Sequence, residues 1–171
     1  MMNEHDVVDI LESAERIGVG VWLDGGWGVD ALVGRQTRPH NDIDVFIEKR
    51  NAGAFTAMIT EKGYYEISME YTTKSHSVWQ DSDERIIDLH LFECGVSGTL
   101  IFENEVYPSD VFNGKGMIGG VAVNCLTAEA QLLYHQGDYE KDENDAHDVL
   151  LLCGIFNFPI PSEYKSKADI D

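Results

Sequence analysis

Basic charge is scarce in this chain. Its 171 residues hold 12 Lys and Arg against 31 Asp and Glu, a net charge of −19. Affinity for long nucleic acid comes largely from neutralising phosphates, so such a partner is disfavoured. A cationic small molecule is attracted instead. Cysteine is scarce too: Cys94, Cys125 and Cys153 are odd in number and far apart, which argues against a disulfide framework. The six histidines show no metal-ligand spacing with these cysteines, which disfavours a zinc site. No apolar run reaches about 18 residues, the length that a membrane span needs. The opening Met-Met-Asn-Glu-His-Asp has neither a basic region nor an apolar signal segment. No membrane partner is expected, and the cytoplasm is the expected location. With 43% hydrophobic residues the chain can fill a core. Its length fits one domain, with room for a small helical annex.

Apolar residues at helical spacing from Asn3 to Ile17 predict a helix capped by Asn3. Gly18 to Leu23 reads as a strand, Gly26 to Leu32 as a short helix ended by Gly34, and Asp42 to Ile47 as a strand. Ala52 to Lys62 is a second amphipathic helix, closed by Gly63. Tyr64 to Met69, Ser75 to Gln80 and Arg85 to Phe92 read as three strands, with a turn at Asp81-Ser82-Asp83. A turn spans Gly95 to Gly98, and Thr99 to Phe102 follows as a short edge strand. Gly114, Gly116, Gly119 and Gly120 punctuate a hairpin ending at Val121 to Cys125. Helices follow at Thr127 to His135 and Glu143 to Leu152, and the tail from Phe158 reads as loose. The pattern is α/β in the α+β sense: a twisted mixed sheet flanked by helices. Residues 1–126 form the core, and 127–171 a C-terminal helical segment of the same compact domain.

The chemistry concentrates in two stretches, Trp22-Leu-Asp-Gly-Gly-Trp-Gly-Val-Asp30 and Asn41-Asp-Ile-Asp-Val-Phe-Ile47. Side chains two apart on a strand share a face, so Asp42 and Asp44 point together while Ile43, Val45 and Ile47 enter a core. Two parallel carboxylates repel, and a divalent cation relieves them. Mg²⁺ commonly takes one or two carboxylates plus substrate phosphates. The Gly25-Gly26 pair leaves backbone N–H groups open to a phosphate, at the start of a helix that favours negative charge. A glycine phosphate loop feeding a two-aspartate strand points to nucleotidyl transfer. Asp88, flanked by apolar residues in Arg85-Ile-Ile-Asp-Leu-His-Leu-Phe92, needs a cation or a donor. His90 shares its face, as a packed neighbour or as a direct contact. Trp27 is expected to pack rather than to stack on a base.

In this order and spacing Gly25-Gly26-Trp27, Asp30, Gly34, Arg38, His40 and Asp42-Ile43-Asp44 resemble the small antibiotic nucleotidyltransferases. The lincosamide nucleotidyltransferases are the nearer likeness and the aminoglycoside 2''-nucleotidyltransferases the more distant. The resemblance continues through Ile87-Asp88-Leu89-His90 and Glu129-Ala-Gln-Leu-Leu-Tyr-His135 to Asp145-Ala-His-Asp148, most of the chain. It implies a polymerase-β-like fold with helices on one side of the sheet. It implies Mg²⁺ as cofactor, ATP as donor, and transfer of AMP to a hydroxyl of a small antibiotic. Pyrophosphate would be released and the drug, most closely a lincosamide, inactivated. Asp42, Asp44 and Asp88 become the catalytic and metal-binding acids, with Asp88 as base on the attacking hydroxyl. Gly25, Gly26 and Asp145 become contacts to the nucleotide, and Arg38 and His40 phosphate or structural contacts beside it. The family's C-terminal helix carries a Lys-Asp pair and a further Asp; Asp145 and Asp148 match the acids, but Asn144 stands at the lysine. Lys141 is the nearest lysine, one turn earlier, and the two acids also fit a helix-surface pair. The segment from Glu93 to Gly120 is expected to shape the acceptor pocket, and a homodimer would add a wall to it. An aminoglycoside acceptor is the alternative that the −19 charge suits. A non-catalytic nucleotide-binding or antitoxin-like regulator is another, opposed by the intact set of three aspartates.

Overall fold

The computed structural model describes residues 1–137 and 141–165. Helix α1, Glu4–Arg16, opens with a capping box: Asn3 accepts from the Asp6 N–H, and Asp6 accepts from the Asn3 N–H. Strand β1, Val21–Asp24, runs directly into helix α2, Gly25–Val33, which ends on Gly34 in the left-handed region. Strand β2, Asp42–Glu48, precedes helix α3, Ala52–Glu61. Strands β3, Tyr65–Ile67, β4, His76–Gln80, and β5, Ile86–Cys94, follow. A hairpin of β6, Thr99–Phe102, and β7, Glu105–Pro108, leads to β8, Gly114–Ile118, and β9, Val121–Cys125. Helices α4, Ala128–Tyr134, and α5, Glu143–Phe156, close the fold.

Among the described residues nine strands form one mixed sheet in the order β3-β4-β5-β2-β1-β9-β8, with β6 on β5 and β7 on β6. The fold is α+β with a twisted open sheet. Strand alternation divides it into two unlike faces. Val21, Leu23, Ile43, Val45, Ile47, Ile87 and Leu89 are buried against Val7, Ile10 and Ala14 of α1, Trp27 and Ala31 of α2, and Phe55 and Ile59 of α3. Burial of each such side chain contributes roughly 1.5–3 kcal/mol. This continuous layer holds the central strands in register.

The opposite face is not bare. Trp22, Phe46 and Phe92 pack there with Leu100, Phe102 and Tyr107 of the hairpin and with Ala130 and Tyr134 of α4. Helix cover is therefore not confined to one side. Strand β7 and its hairpin were not expected. The turn residues Glu103 and Asn104 both have positive φ, 49° and 66°, without a glycine to advertise them. The tail is also more ordered than expected. Ser162–Tyr164 forms a 3-10 turn, and the buried Tyr164 donates its hydroxyl to the His135 carbonyl at 2.7 Å. The last six residues, 166–171, lie outside the described range.

Candidate active site

Register builds the site. Asp24 on β1 pairs with Asp44 on β2, and Asp44 pairs with Asp88 on β5. Three carboxylates thus stand in one row across three strands, on the face away from the main core. Asp42, two residues before Asp44, extends the acid cluster. The next row reads Trp22, Phe46, His90 and His76. Along one face the sheet changes from carboxylate to imidazole and indole within a single side-chain step.

Like charges directly opposite on neighbouring strands are destabilising. The acids show it. Burial, then Asp44, raises the pKa of Asp24 above the usual carboxylate range. Asp42 is pushed up to about 6 by desolvation first, then by Asp44 and more weakly by Asp88. The imidazole of His90 responds in the opposite sense: burial pulls its pKa down, but Asp44, Asp24 and Asp88 outweigh burial and leave it raised. His76 Nε2 is hydrogen-bonded to Asp88 Oδ1, and His90 Nε2 lies 3.8 Å from Asp44 Oδ1. The acid row carries more negative charge than its neighbours neutralise. A divalent cation with hard oxygen ligands fits Asp42 and Asp44 on that ground.

A cleft of about 730 Å³ lies over Asp24, Asp42 and Asp44, with Gly25, Gly26, Arg38, Asn144 and Asp145 among its walls. Asp88 does not line it and adjoins it through His76, which does and is hydrogen-bonded to Asp88. Gly25 has φ of 55°, and a Cβ there would fall 2.2 Å from Asp44 Oδ2, so only glycine lets the α2 start meet the acid row. A Cβ on Gly26 would meet the Arg38 guanidinium at 2.4 Å and His40 Nδ1 at 2.5 Å. The space beside Gly26 is therefore partly filled by protein. Gly26→Val should displace Arg38 and His40, costing about 1–3 kcal/mol of stability. The denaturant midpoint of the variant checks the effect.

The structure separates the remaining candidates. The Arg38 side chain forks onto Asp148, with Nη2 to Oδ2 at 2.7 Å, and still lines the cleft. His135 Nε2 approaches the same carboxylate at 3.8 Å. Arg38 and His135 hold the Asp148 carboxyl below its ordinary range despite burial. His40 is buried and bound through Nε2 to Asp30 Oδ2 at 2.6 Å, and its ring lies 4.5 Å from that of Trp27. His40 braces the glycine turn from behind, outside the residues lining the cleft. Asp145 lines the cleft and also caps its own helix by accepting from the Asp142 N–H at 2.8 Å. Lys141 Nζ donates to the Gly137 carbonyl at 2.7 Å and lies 3.7 Å from Glu163. Asn144, at the lysine position, lines the cleft; Lys141 is not among its walls.

Sequence reasoning missed several lining residues, among them Asp24, Tyr71, His76, Tyr134 and Asp142. Asp24 was visible as an acid at a strand end immediately before the glycine pair. His76 carries no local signal, because only antiparallel pairing of β4 with β5 sets it beside His90.

Known proteins are similar to this chain in sequence and in fold. A lincosamide resistance protein of Staphylococcus haemolyticus is 27% identical over 164 residues, covering 90% of this chain and 96% of the relative. A 2''-aminoglycoside nucleotidyltransferase of Klebsiella pneumoniae is 39% identical over only 54 residues, 32% of this chain and 30% of the relative. The lincomycin-bound crystal structure of the lincosamide antibiotic adenylyltransferase LnuA superimposes with a TM-score of 0.80 at 28% identity, covering 90% of this chain and 98% of that one. ANT(2'')-Ia in complex with adenylyl-2''-tobramycin shares the fold, with a TM-score of 0.75 at 20% identity, covering 90% of this chain and 88% of that one. The model of the aminoglycoside-2''-adenylyltransferase family matches residues 6–152. With the acid row and glycine turn on that same span, the chain belongs to this family of antibiotic nucleotidyltransferases.

Proposed function

We propose that the protein transfers AMP from ATP to a hydroxyl of a lincosamide antibiotic, with Mg²⁺ as cofactor. The observation that carries this reading is the register of Asp44 against Asp88 beside the Gly25-Gly26 turn. Asp42 and Asp44 would hold the ion, which would supply charge neutralisation to the transferring phosphates. The α2 N-terminus and the glycine backbone receive the phosphates, and Arg38 adds positive charge at the wall. The acceptor oxygen attacks the α-phosphorus, the bond to the bridging oxygen breaks, and pyrophosphate leaves. Asp88 takes the hydroxyl proton. His76, bound to one oxygen of Asp88, leaves the other for that proton.

The lincosamide class is supported by 27–28% identity over 90% of the chain to a lincosamide resistance protein and to LnuA, whereas the sequence match to an aminoglycoside nucleotidyltransferase is confined to 54 residues and ANT(2'')-Ia superimposes at only 20% identity. Tyr134 lines both the nucleotide cleft and a second groove of about 450 Å³, formed with Tyr107, Asp110, Glu129 and Leu133. That groove is apolar with two acids, and it suits an acceptor with an apolar body and one amine. The wall from Glu93 to Gly120 contributes Tyr107 and Asp110 to it. An aminoglycoside acceptor is the second reading, favoured by the −19 charge. We place the reaction in the cytoplasm, where ATP is supplied, and in a homodimer that completes the cleft wall. Among the described residues no helix is long and apolar enough to cross a membrane. Incubation with ATP, Mg²⁺ and either lincomycin or tobramycin tests the choice by mass spectrometry. An adenylylated lincomycin is expected, and adenylylation of tobramycin alone would transfer the assignment to the second reading.

The acid row also makes Mg²⁺ binding depend on pH. The carboxyl of Asp42 keeps its proton up to about 6, whereas an ordinary aspartate loses it near 3.8. Between those values the native state binds more protons than the unfolded chain, so this group's contribution to stability falls as pH rises through the window. Mg²⁺ must displace that proton. Thermal unfolding should show a larger upward shift on adding Mg²⁺ at pH about 7.5 than at pH about 5, since Asp42 has lost its proton only at the higher pH.

A further inference from the structure

His76 and His90 come from strands that pair antiparallel, directly opposite each other, with ring centroids 4.3 Å apart. Asp88 lies beside them. One ligand atom from each of His76, Asp88 and His90 falls within 4.8 Å of the other two. Two ligands on a single ion are separated by at most about twice a 2.1 Å bond, so small side-chain rotations close the set. The His90 ring is held only loosely by its charged neighbour: its Nε2 pairs with Asp44 Oδ1 at 3.8 Å, beyond hydrogen-bond reach, and its buried Nδ1 has no hydrogen-bond partner among the described residues. The rings are held in place by aromatic contacts, His90 on Phe46 at 4.8 Å and His76 on Tyr71 at 5.3 Å. Two imidazoles and a carboxylate form a borderline donor set that suits Zn²⁺ or Co²⁺ more than Mg²⁺. Asp44 and Asp24 add negative charge nearby, which attracts a dication.

We propose that His76, Asp88 and His90 form a binding site for a borderline transition-metal ion of the Zn²⁺ class, separate in its ligands from the Asp42–Asp44 pair, and that its occupation inhibits the enzyme. The ion takes the carboxylate of Asp88 away from the acceptor hydroxyl. Binding rests on the geometry alone; inhibition rests also on the transferase reading. Sequence spacing gives no hint of the site, because His76 and His90 meet only through strand pairing.

Tag-free protein titrated with Co²⁺ should bind one equivalent in this site with the intense visible absorption of a low-coordinate ion. Zn²⁺ should displace it and inhibit AMP transfer in the presence of excess Mg²⁺. His76→Gln and His90→Gln should each weaken Zn²⁺ binding by about 10²-fold, in keeping with the loss of a ligand, while His147→Ala binds Zn²⁺ as the parent does. Parent affinity in both glutamine variants overturns the site. Should a variant fail to fold, NMR of the parent decides: Zn²⁺ should shift the ring signals of two of the six histidines, His76 and His90. Shifts confined to the other histidines overturn the proposal. Zn²⁺ binding that depends on both histidines, in a protein without transferase activity, supports the site and overturns only the transferase reading.

Discussion

Asp88→Asn should lower the single-turnover rate of AMP transfer by about 10²–10⁴-fold and leave ATP affinity within a few-fold of the parent. That loss corresponds to roughly 3–5 kcal/mol of barrier at about 1.4 kcal/mol per decade. Asparagine preserves the shape and can still hydrogen-bond to His76. It cannot take the hydroxyl proton. Ground-state nucleotide binding does not require that proton transfer, so affinity and rate should separate. A parallel loss of ATP affinity would make Asp88 chiefly a metal ligand. A parent rate would remove it from the chemistry.

The second large effect is expected at the centre of the acid row. Asp44 faces Asp24 on one side and Asp88 on the other, and its carboxyl fills the space above Gly25. Asp44→Asn removes a charge from the proposed Mg²⁺ site, so transfer should fall by about 10³-fold or more, equivalent to several kcal/mol of lost charge stabilisation. ATP binding in Mg²⁺ should weaken with it. The metal-free variant should be more stable than the parent, because the substitution removes repulsion from Asp24 and Asp42. Opposite signs in stability and activity mark a residue kept for function at a cost to the fold. Urea unfolding in EDTA beside ATP titration in Mg²⁺ measures the pair. A variant less stable than the parent without metal would mean that the acid row is structural.

Much of this arrangement was legible in the chain. Alternation in Asn41-Asp-Ile-Asp-Val-Phe-Ile47 assigned Asp42 and Asp44 to one face and Ile43, Val45 and Ile47 to the core, and the structure has those three fully buried. The Asn3 and Thr127 caps stand where the side-chain chemistry put them. What escaped is what depends on partners remote in sequence. The row of Asp24, Asp44 and Asp88 needs the pairing order β1-β2-β5, which no local pattern encodes. Arg38 and Asp148 are 110 residues apart and meet as a salt bridge. His40 has an exposed-looking setting in Thr37-Arg-Pro-His-Asn-Asp42, yet it is buried against Asp30 and Trp27. Its burial follows from the chain folding back behind α2. The β6–β7 hairpin escaped because its turn lacks glycine, and the ordered tail because a single aromatic, Tyr164, holds it.

The central claim is that an adenylyl group, and not a phosphoryl group, moves to the drug under the control of this acid row. ATP labelled at the α-phosphate and ATP labelled at the γ-phosphate test it directly when each is incubated with the protein, Mg²⁺ and lincomycin. The account predicts α-label in the drug and γ-label in pyrophosphate, with both lost in Asp44→Asn. Appearance of γ-label in the drug, or α-label transfer undiminished in Asp44→Asn, would contradict it.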